Sequence, residues 1–369
     1  MAVVTDFPDL SGDQIAEALS VAGRSDELRA EVFEALRREQ AKANEPARFK
    51  NEVRWPIVLG LLSGTKEHAV HLANGLVFQV SADSRIERAL LLSDDAHPDH
   101  VWEPQTTKLL VTLGRIAKNI IVGGAYIGDQ ALLIAKAIVD DGGNGLVHAF
   151  EPMSIPFEKL RRNIEANGLL NVLPHQLALW SSSHKRVRLD GPLALASSQL
   201  VDDATVDAIE TITIDDYVAE QRLPSIGLIM LDLEGGEEEA LQGAAGVLGG
   251  PQPPDVVFEI HRSFVDWSAG LPQTSIVRRF LDLGYDVFAI RDFHDNRSMA
   301  GQPIELIPAD SVYLEGPPHG FNVLATRRFS EIELSMDLRV VRDVSPKLLL
   351  EKDPRLHHPL NTSWLNPVH

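Results

Sequence analysis

The sequence predicts an α/β protein with a doubly wound, largely parallel sheet and helices on both faces, and three observations lead to this prediction. After about residue 100, short apolar runs typical of buried strands alternate with segments of helical periodicity. The first of these runs passes directly into a helix through a glycine-rich turn. Later runs end in carboxylates, which is typical of the edge of a parallel sheet where the carboxyl ends of strands meet.

Length and composition indicate a globular chain with more than one part. The 369 residues are 44% apolar and 24% charged, which is ordinary for soluble proteins. Single cores stop growing near ~250–300 residues. We therefore predict a main domain at 99–330, a helical and strand extension at 1–98 that serves as a lid or in dimerisation, and a tail at 331–369 that wraps the domain.

The charge balance and the absence of cysteine exclude several classes of function. Fifty-three Asp and Glu against 34 Lys and Arg give a formal charge of −19, which repels nucleic acids and anionic membranes. Without cysteine there is no disulfide, Cys-ligated zinc or thiol nucleophile. No apolar run approaches the ~18–20 residues that span a bilayer. We expect a cytoplasmic protein with neither a nucleic-acid nor a membrane partner.

The amino-terminal extension is predicted to be helical from Ser11 to about Ala43, because Ser11 and Gln14 form a capping box. Pro46 is predicted to end this helical stretch. The turn at Asn74 is followed by alternating apolar residues, which predict a strand to residue 83.

Apolar periodicity, glycines and prolines set the predicted elements of the main domain. In chain order these are strand 120–124, helix 129–139, strand 145–151, helix 154–167, strand 171–178, an irregular polar stretch to residue 203, a short helix capped by Asp215, strand 226–232, helix 236–248, strand 256–261, helix 275–283, strand 286–291 and strand 321–326. The last strand is predicted to run antiparallel.

The glycine-rich turn at 120–129 is predicted to bind a ligand. Gly124 and Gly128 allow a tight turn and a close approach of the backbone, and the helix that follows presents N–H groups. No Gly-Lys-Ser/Thr follows, so the turn is not a phosphate loop. Its adjacent glycines also differ from the G-x-G-x-x-G spacing of dinucleotide-binding turns.

Acidic residues at the ends of three further strands are predicted to meet beside this turn. Glu151 is placed to accept both hydroxyls of a ribose, which favours an adenosine-containing cofactor. Asp232, with Glu234 close behind it, emerges at the same edge. Glu259 and His261 lie on one side of their strand because strand side chains alternate.

Six sequence runs, in this order and spacing, resemble the FkbM family of S-adenosylmethionine (SAM)-dependent methyltransferases from about residue 102 to about residue 326. They are GGAYIGD at 123–129, AFEP at 149–152, LRRNIEANGLLNV at 160–172, TIDDY at 213–217, MLDLEGGEEEAL at 230–241 and FEIH at 258–261. The resemblance implies a class I methyltransferase fold with a seven-stranded sheet. It also implies methyl transfer to oxygen on a small hydroxylated molecule, such as a sugar or natural-product intermediate.

Carried over to this sequence, the resemblance implies a SAM site along the carboxyl edge of the sheet. It assigns Gly123, Gly124, Ala125 and Gly128 to the methionine part, Glu151 to the ribose, Ala178 to the adenine, Glu103 to the amino group and Asp232 to the methyl group. The family usually has an acid at the position of Val122, and Asp129 is expected to supply the missing charge.

His261 and Asp232 are the candidate general bases, because histidine changes protonation near neutral pH and a carboxylate can take a hydroxyl proton. Asp232, Glu234, Glu259 and His261 also have the side-chain types of a divalent metal site. Their spacing is no known metal motif, so a metal is the less favoured hypothesis. Phe264 and Trp267 either stack on an acceptor ring or pack a loop.

Two alternatives stay open at this point. A nicotinamide-dependent oxidoreductase also uses a glycine turn and a strand-end acid, although the glycine spacing here argues against it. A non-catalytic SAM-binding module is the second. The amino-terminal helices are the expected surface of a homodimer.

Overall fold

The computed structural model describes residues 11–63, 67–81, 84–92, 102–190, 197–201, 208–292, 301–314 and 320–347. The chain forms two compact units. The first comprises Met1–Val70 and Phe78–Asp94, and the second comprises His71–Val77 and Asp95–His369. No helix in the described part of the chain is both long and apolar enough to cross a membrane.

The elements before residue 94 are mainly helical. They are α1 Gly12–Ala22, α2 Asp26–Lys42, α3 Pro46–Phe49, a π-helical turn Lys50–Arg54, α4 Trp55–Leu62, β1 His68–His71, β2 Val77–Val80 and α5 Arg85–Leu91.

The capping box at the start of α1 is present, since Ser11 N–H donates to Gln14 Oε1 at 2.8 Å and Gln14 N–H donates to Ser11 Oγ. The helical stretch ends where predicted, since α2 ends at Lys42 with Ala43 as its C-cap. Pro46 follows this break and begins the separate helix α3, where a first-turn residue needs no N–H donor. β1 and β2 pair as a two-stranded sheet, and residues 82–83 of the predicted strand lie outside the described residues.

The second unit carries the remaining elements. They are α6 Pro104–Ile116, β3 Asn119–Gly123, α7 Ala131–Asp140, β4 Leu146–Phe150, α8 Ser154–Asn167, β5 Val172–His175, β6 Ala178–Leu179, β7 Arg186–Asp190, β8 Ser197–Val201, β9 Ile209–Ile212, α9 Ile214–Glu220, β10 Leu228–Leu231, α10 Glu237–Gln242, α11 Ala245–Gly249, β11 Asp255–Ile260, α12 Ser275–Asp282, β12 Asp286–Ile290, β13 Ile304–Pro308, β14 Phe321–Thr326, α13 Phe329–Ser335 and β15 Leu338–Val340.

The main sheet has nine strands in the order β15-β13-β12-β14-β11-β10-β3-β4-β5. β5, β4, β3, β10 and β11 are mutually parallel, and β14 runs antiparallel to both β11 and β12. These features confirm the predicted α/β fold and its antiparallel strand. The predicted count of seven strands is two short, because β13 and β15 extend the sheet beyond β12.

The topology creates a crevice at the carboxyl end of β3. From β3 the chain moves outward through β4 and β5, and it later returns to the other side of β3 with β10. In register, Gly123 lies opposite Phe150 of β4 and Leu231 of β10. The next residues along the chain, Glu151 and Asp232, therefore flank the glycine turn at the point where doubly wound sheets bind their ligands.

The stretch predicted as irregular to residue 203 is partly wrong, because it contains strands of a second, four-stranded sheet with the order β6-β9-β7-β8. The polar residues that alternate along these strands interrupt the apolar run that marks a buried strand, which explains the miss.

Two predictions about helices are also wrong. α9 is capped by Thr213, whose hydroxyl accepts from Asp216 N–H at 2.9 Å, and not by Asp215. Asp215 instead accepts from the N–H groups of Gly246 and Val247 at 2.7 and 2.9 Å, so its carboxylate caps α11. The predicted helix 236–248 is two helices, α10 and α11.

Candidate functional site

The glycine turn after β3 is held between the ends of β4 and β10. Gly124 and Ala125 donate their N–H groups to the carbonyl of Phe150 at 3.0 and 2.9 Å. Gly124 has a φ of +73°, and a Cβ added there would overlap the carbonyl oxygen of Asp232. Only glycine satisfies both the backbone angle and this close approach.

Glu151 ties the turn to β4. Its buried carboxylate accepts from the N–H of Tyr126 at 2.9 Å and from the N–H of Met153 at 2.8 Å. The pKa of Glu151 is raised to about 7: burial raises it most, the N–H donors of Met153 and Tyr126 lower it, and the charge of nearby buried Asp129 raises it. Glu151 therefore titrates close to neutral pH.

A small pocket lies beside this acid. Its walls are mostly apolar and come from the ends of β4, β6 and the loop after β10, with two glycines that contribute backbone only. The lining residues are Gly124, Phe150, Pro152, Leu177, Ala178, Leu179, Trp180, Leu233 and Gly236. Ala178, assigned to the adenine by resemblance, is thus in the same pocket as Gly124 of the turn.

Three carboxylates meet at the carboxyl ends of β10 and β11. Asp232, Glu237 and Glu259 each offer one oxygen, and these oxygens lie within 4.8 Å of one another. Asp232 also donates its N–H to the carbonyl of Gly123 at 3.1 Å, so the group adjoins the turn. Burial raises the pKa values of Asp232 and Glu259 well above their ordinary range, and the negative charges of neighbouring acids add to the effect.

Glu237 was not among the residues predicted from the sequence. Its Oε1 accepts from Leu233 N–H at 2.6 Å and its Oε2 accepts from Gly235 N–H at 3.0 Å, so it closes the turn between β10 and α10. The sequence did carry a signal for it, since acidic side chains are stabilising in the first turn of a helix and Glu237 is the first residue of α10.

Glu103 belongs to the same acidic region. Asn322 Nδ2 donates to Glu103 Oε2 at 2.8 Å, and Asn322 lies opposite Glu259 in the β11–β14 register. The charge of Glu103 contributes to the raised pKa values of both Asp232 and Glu259. The structure therefore places Glu103 beside β11 and β14, and Asn322, which the sequence did not single out, holds it there.

His261 follows β11 and is partly exposed. Its Nδ1 accepts from the N–H of Ser263 at 3.0 Å, and the Phe264 ring lies 5.5 Å from the imidazole centroid. Because Nδ1 itself accepts a hydrogen bond, the single N–H proton of the neutral imidazole is on Nε2. Nε2 is therefore the donor atom of the His261 ring.

The residues predicted as metal ligands are brought together only in part. Within the described ranges, Asp232 and Glu259 group with Glu237, and not with Glu234 or His261. Glu234 is half-buried and its pKa is raised to about 7 by burial and by Glu237. Both oxygens of Glu237 accept backbone hydrogen bonds, so the position of its carboxylate is fixed by the turn after β10 and does not depend on a metal.

The family comparison decides between the classes of function. Residues 123–287 match the family model described as the methyltransferase FkbM domain. This segment belongs to the FkbM methyltransferase family. The matched FkbM segment begins at the first glycine of the turn, contains Glu151, Asp232 and Glu259, and ends within β12. The predicted resemblance is confirmed, and the chain contains a methyltransferase domain.

Solved structures of methyltransferases are similar to the chain at low identity. The precorrin-6y C5,15-methyltransferase of Geobacter metallireducens GS-15 is 12% identical over 61% of this chain and 88% of its own, with a TM-score of 0.34. An O-methyltransferase of Bacillus cereus, in complex with SAH, is 16% identical over 66% and 91%, with a TM-score of 0.33. At TM-scores this low they add nothing to what the strand order shows. No curated protein matches the sequence.

Proposed function

We propose that this chain is a SAM-dependent O-methyltransferase that acts on a hydroxyl group of a small molecule, such as a sugar or a natural-product intermediate. The hydrogen bond from Tyr126 N–H to Glu151 carries the proposal, because it joins the glycine turn to a buried acid at the switch point of the sheet. A carboxylate in this position accepts the hydroxyls of a ribose.

The residues around the crevice fit the parts of SAM. The turn at Gly124 and Ala125 would hold the methionine part, Glu151 the ribose, and the pocket with Phe150 and Ala178 the adenine. When bound, SAM supplies a methyl group activated by its sulfonium sulfur. The chain itself has to orient the acceptor hydroxyl and take its proton.

Asp232 is the proposed base. It adjoins the turn through its N–H bond to Gly123, and its raised pKa makes its carboxylate more basic than an ordinary aspartate. With Nδ1 accepting from Ser263 N–H, the neutral ring carries its proton on Nε2, so His261 is proposed to orient the acceptor by a hydrogen bond from Nε2. The two candidate bases therefore take different roles.

Phe264 is the proposed contact for an acceptor ring. Its side chain is 45% exposed beside His261, and a Cβ added at Gly235 would touch its ring, so it lies over the turn after β10. Trp267, in contrast, is buried against Phe321 with ring centroids 5.4 Å apart. Trp267 therefore packs the loop.

A thermal-shift panel with SAM, S-adenosylhomocysteine (SAH), NADH and ATP tests the cofactor. A ligand at 100 times its dissociation constant adds about 2.7 kcal/mol to the free energy of unfolding. We expect stabilisation by SAM and SAH alone. Stabilisation by NADH alone would overturn the proposal in favour of an oxidoreductase.

Methyl transfer is tested next with a panel of hydroxylated small molecules, in which SAH release and the mass of the product are followed. Matched panels of amines and thiols identify the atom that receives the methyl group. Products methylated only on nitrogen or sulfur would contradict transfer to oxygen.

A further inference from the structure

The helix α2 buries little of its surface. Of its 17 residues, Leu36 is the buried one. Leu28, Val32 and Ala35 form an apolar row along one face, at spacings of four and three residues. Leu28 is 39% exposed, and Val32 and Ala35 are half-buried. Such a row is typical of a helix that packs against another helix on this face.

A charged row runs beside the apolar row, and its sign changes along the helix. Glu27 and Glu31 lie in the first half and Arg38 and Lys42 in the second, and all four are exposed. The helix dipole favours acids in the first turn and bases in the last, which accounts for Glu27 and Lys42. The dipole does not account for Glu31 and Arg38, because each is more than one turn from either end.

Within a single chain this order of charges is unfavourable. Glu27 and Glu31 are four positions apart, and so are Arg38 and Lys42, and like charges at this spacing repel each other on a helix. Among the described residues, the two basic ones contact glutamates of their own helix, at 3.7 and 2.8 Å. The two acids form no ion pair with any described residue. The acidic pair therefore needs a compensating charge from elsewhere.

A second copy of α2 that runs in the opposite direction supplies this charge. Glu31 then faces Arg38 of the other copy and Glu27 faces Lys42, because each pair of positions is equally far from the middle of the helix. The same surface meets itself, as in any two-fold symmetric dimer. Glu34, near the middle, has a cation of its own helix 3.7 Å away, which limits repulsion between the two copies there.

We propose that this face of α2 is the contact surface of a homodimer in which two copies of the helix pack antiparallel along their apolar rows. The sequence predicts a homodimer through the amino-terminal helices but neither a face nor a direction, and this inference supplies both. It does not depend on the proposed function.

The strength and salt dependence of the dimer follow from its size and charge. Each chain carries a formal charge of −19, so long-range repulsion opposes association and local attraction has to overcome it. Two helices about 25 Å long bury less surface than the interfaces of permanent dimers. We therefore expect a weak dimer that high salt dissociates further.

Charge reversal of either half of the row tests the proposal in the full-length protein. Glu27→Lys with Glu31→Lys makes the row wholly basic, and Arg38→Glu with Lys42→Glu makes it wholly acidic. We expect each double variant alone to dimerise about tenfold or more weakly than the wild-type protein, by sedimentation at several protein concentrations. An equimolar mixture of the two should recover dimers, because antiparallel packing then places opposite charges at both ends. Recovery also shows that both variants are folded.

A matched control separates the effect of the row from that of total charge. Glu331→Lys with Glu333→Lys, at two exposed acids of α13, changes the net charge by as much as the basic double variant does. This control should dimerise at least as well as the wild-type protein.

Cross-linking tests the direction of the two helices. The chain has no cysteine, so single thiols can be introduced without background. Glu31→Cys and Arg38→Cys chains are mixed and treated with a short bismaleimide. Antiparallel packing should cross-link the mixture far more than either variant alone, whereas parallel packing would cross-link each variant with itself.

Each outcome supports or overturns the inference and leaves the proposed function untouched. A wild-type protein that stays monomeric at every concentration overturns it. It is also wrong if the wild-type protein dimerises and both charge-reversed variants do so equally well, because another surface then forms the dimer. Weakened variants whose mixture does not recover would contradict the antiparallel arrangement.

Discussion

Tyr126 N–H donates to Glu151 Oε2 at 2.9 Å, and this bond links the glycine turn after β3 to the acid that ends β4. Gly124 and Ala125 of the same turn donate to the carbonyl of Phe150, the residue before Glu151. Three consecutive N–H groups of the turn thus hold the end of β4. The position of Glu151 therefore depends on the turn, and a ligand that contacts both meets one connected unit.

Glu151→Gln should weaken SAH binding by about ten- to a hundredfold, because hydrogen bonds to a charged group are worth about 1.5–3 kcal/mol. Glutamine keeps the size of the side chain but loses the charge. Calorimetry with SAH measures the change. Glu158→Gln, an exposed acid on α8, is the control and should bind as the wild-type protein does. Equal affinities for Glu151→Gln and the control would rule out the ribose role.

The ligand-free protein should lose stability as the pH rises, through Glu151. Its pKa is about 7 in the folded chain against an ordinary value of 4.5. The unfolded chain ionises first, so the contribution of Glu151 to the free energy of unfolding falls between about pH 4.5 and pH 7. Glu151→Gln lacks this contribution. Urea unfolding at pH 5 and pH 8 should show the variant gaining stability relative to the wild-type protein at the higher pH, and a constant difference would contradict this.

The parts of the site that the sequence predicted are those encoded by local pattern. Gly124 was recognisable because a buried strand leads straight into a helix through glycines. Glu151, Asp232 and Glu259 were recognisable because each follows or ends an apolar run. The carboxyl ends of parallel strands lie at one edge of the sheet, independently of the conformation of the loops that connect them.

The parts that the sequence missed depend on tertiary contacts. β13 was not recognised because Glu305, inside the strand, breaks its apolar pattern, and only the fold shows that Glu305 pairs with buried Arg291 at 3.0 Å. Asn322 has no local signal, since its role is to hold Glu103, more than two hundred positions earlier in the chain. The buried indole nitrogen of Trp180 has no hydrogen-bond partner, which no sequence pattern records.

Gly124→Ala should abolish SAH binding and lower stability, because the new Cβ would overlap the carbonyl oxygen of Asp232. Gly142→Ala is a matched control, since Gly142 has nearly the same φ, +72° against +73°, but nothing within 4 Å of an added Cβ. The control should lose about 1 kcal/mol from the strained backbone angle alone. Thermal unfolding and SAH titration measure both effects, and equal losses in the two variants would contradict the close approach.

Removal of divalent cations should leave the protein unchanged. Both oxygens of Glu237 accept backbone N–H bonds, so the acidic group is organised without a metal. We expect EDTA to alter neither the melting temperature nor SAH binding. Glu237→Ala should lower the free energy of unfolding by about 1–3 kcal/mol, since it removes two hydrogen bonds to a carboxylate, from the N–H groups of Leu233 and Gly235. Loss of methyl transfer in EDTA, with recovery on added Mg²⁺, would revive the metal hypothesis.

Asp232→Asn should reduce kcat by about 10²–10⁴, the usual contribution of a general base, while SAH still binds. Asparagine keeps the shape of the side chain but cannot take the proton. The pH–rate profile separates this role from that of His261. The fall in rate toward acid pH should disappear in Asp232→Asn and persist in His261→Gln.

His261→Gln and His261→Ala distinguish a donor from a base at that position. Because Nδ1 accepts from Ser263 N–H, the proposed role of His261 is to donate from Nε2, and the amide of glutamine replaces such a donor. We therefore expect His261→Gln to retain more activity than His261→Ala, with the difference in KM for the acceptor. If both variants instead lose kcat equally, and the fall in rate toward acid pH disappears in both, then His261 is the base and Asp232 is not.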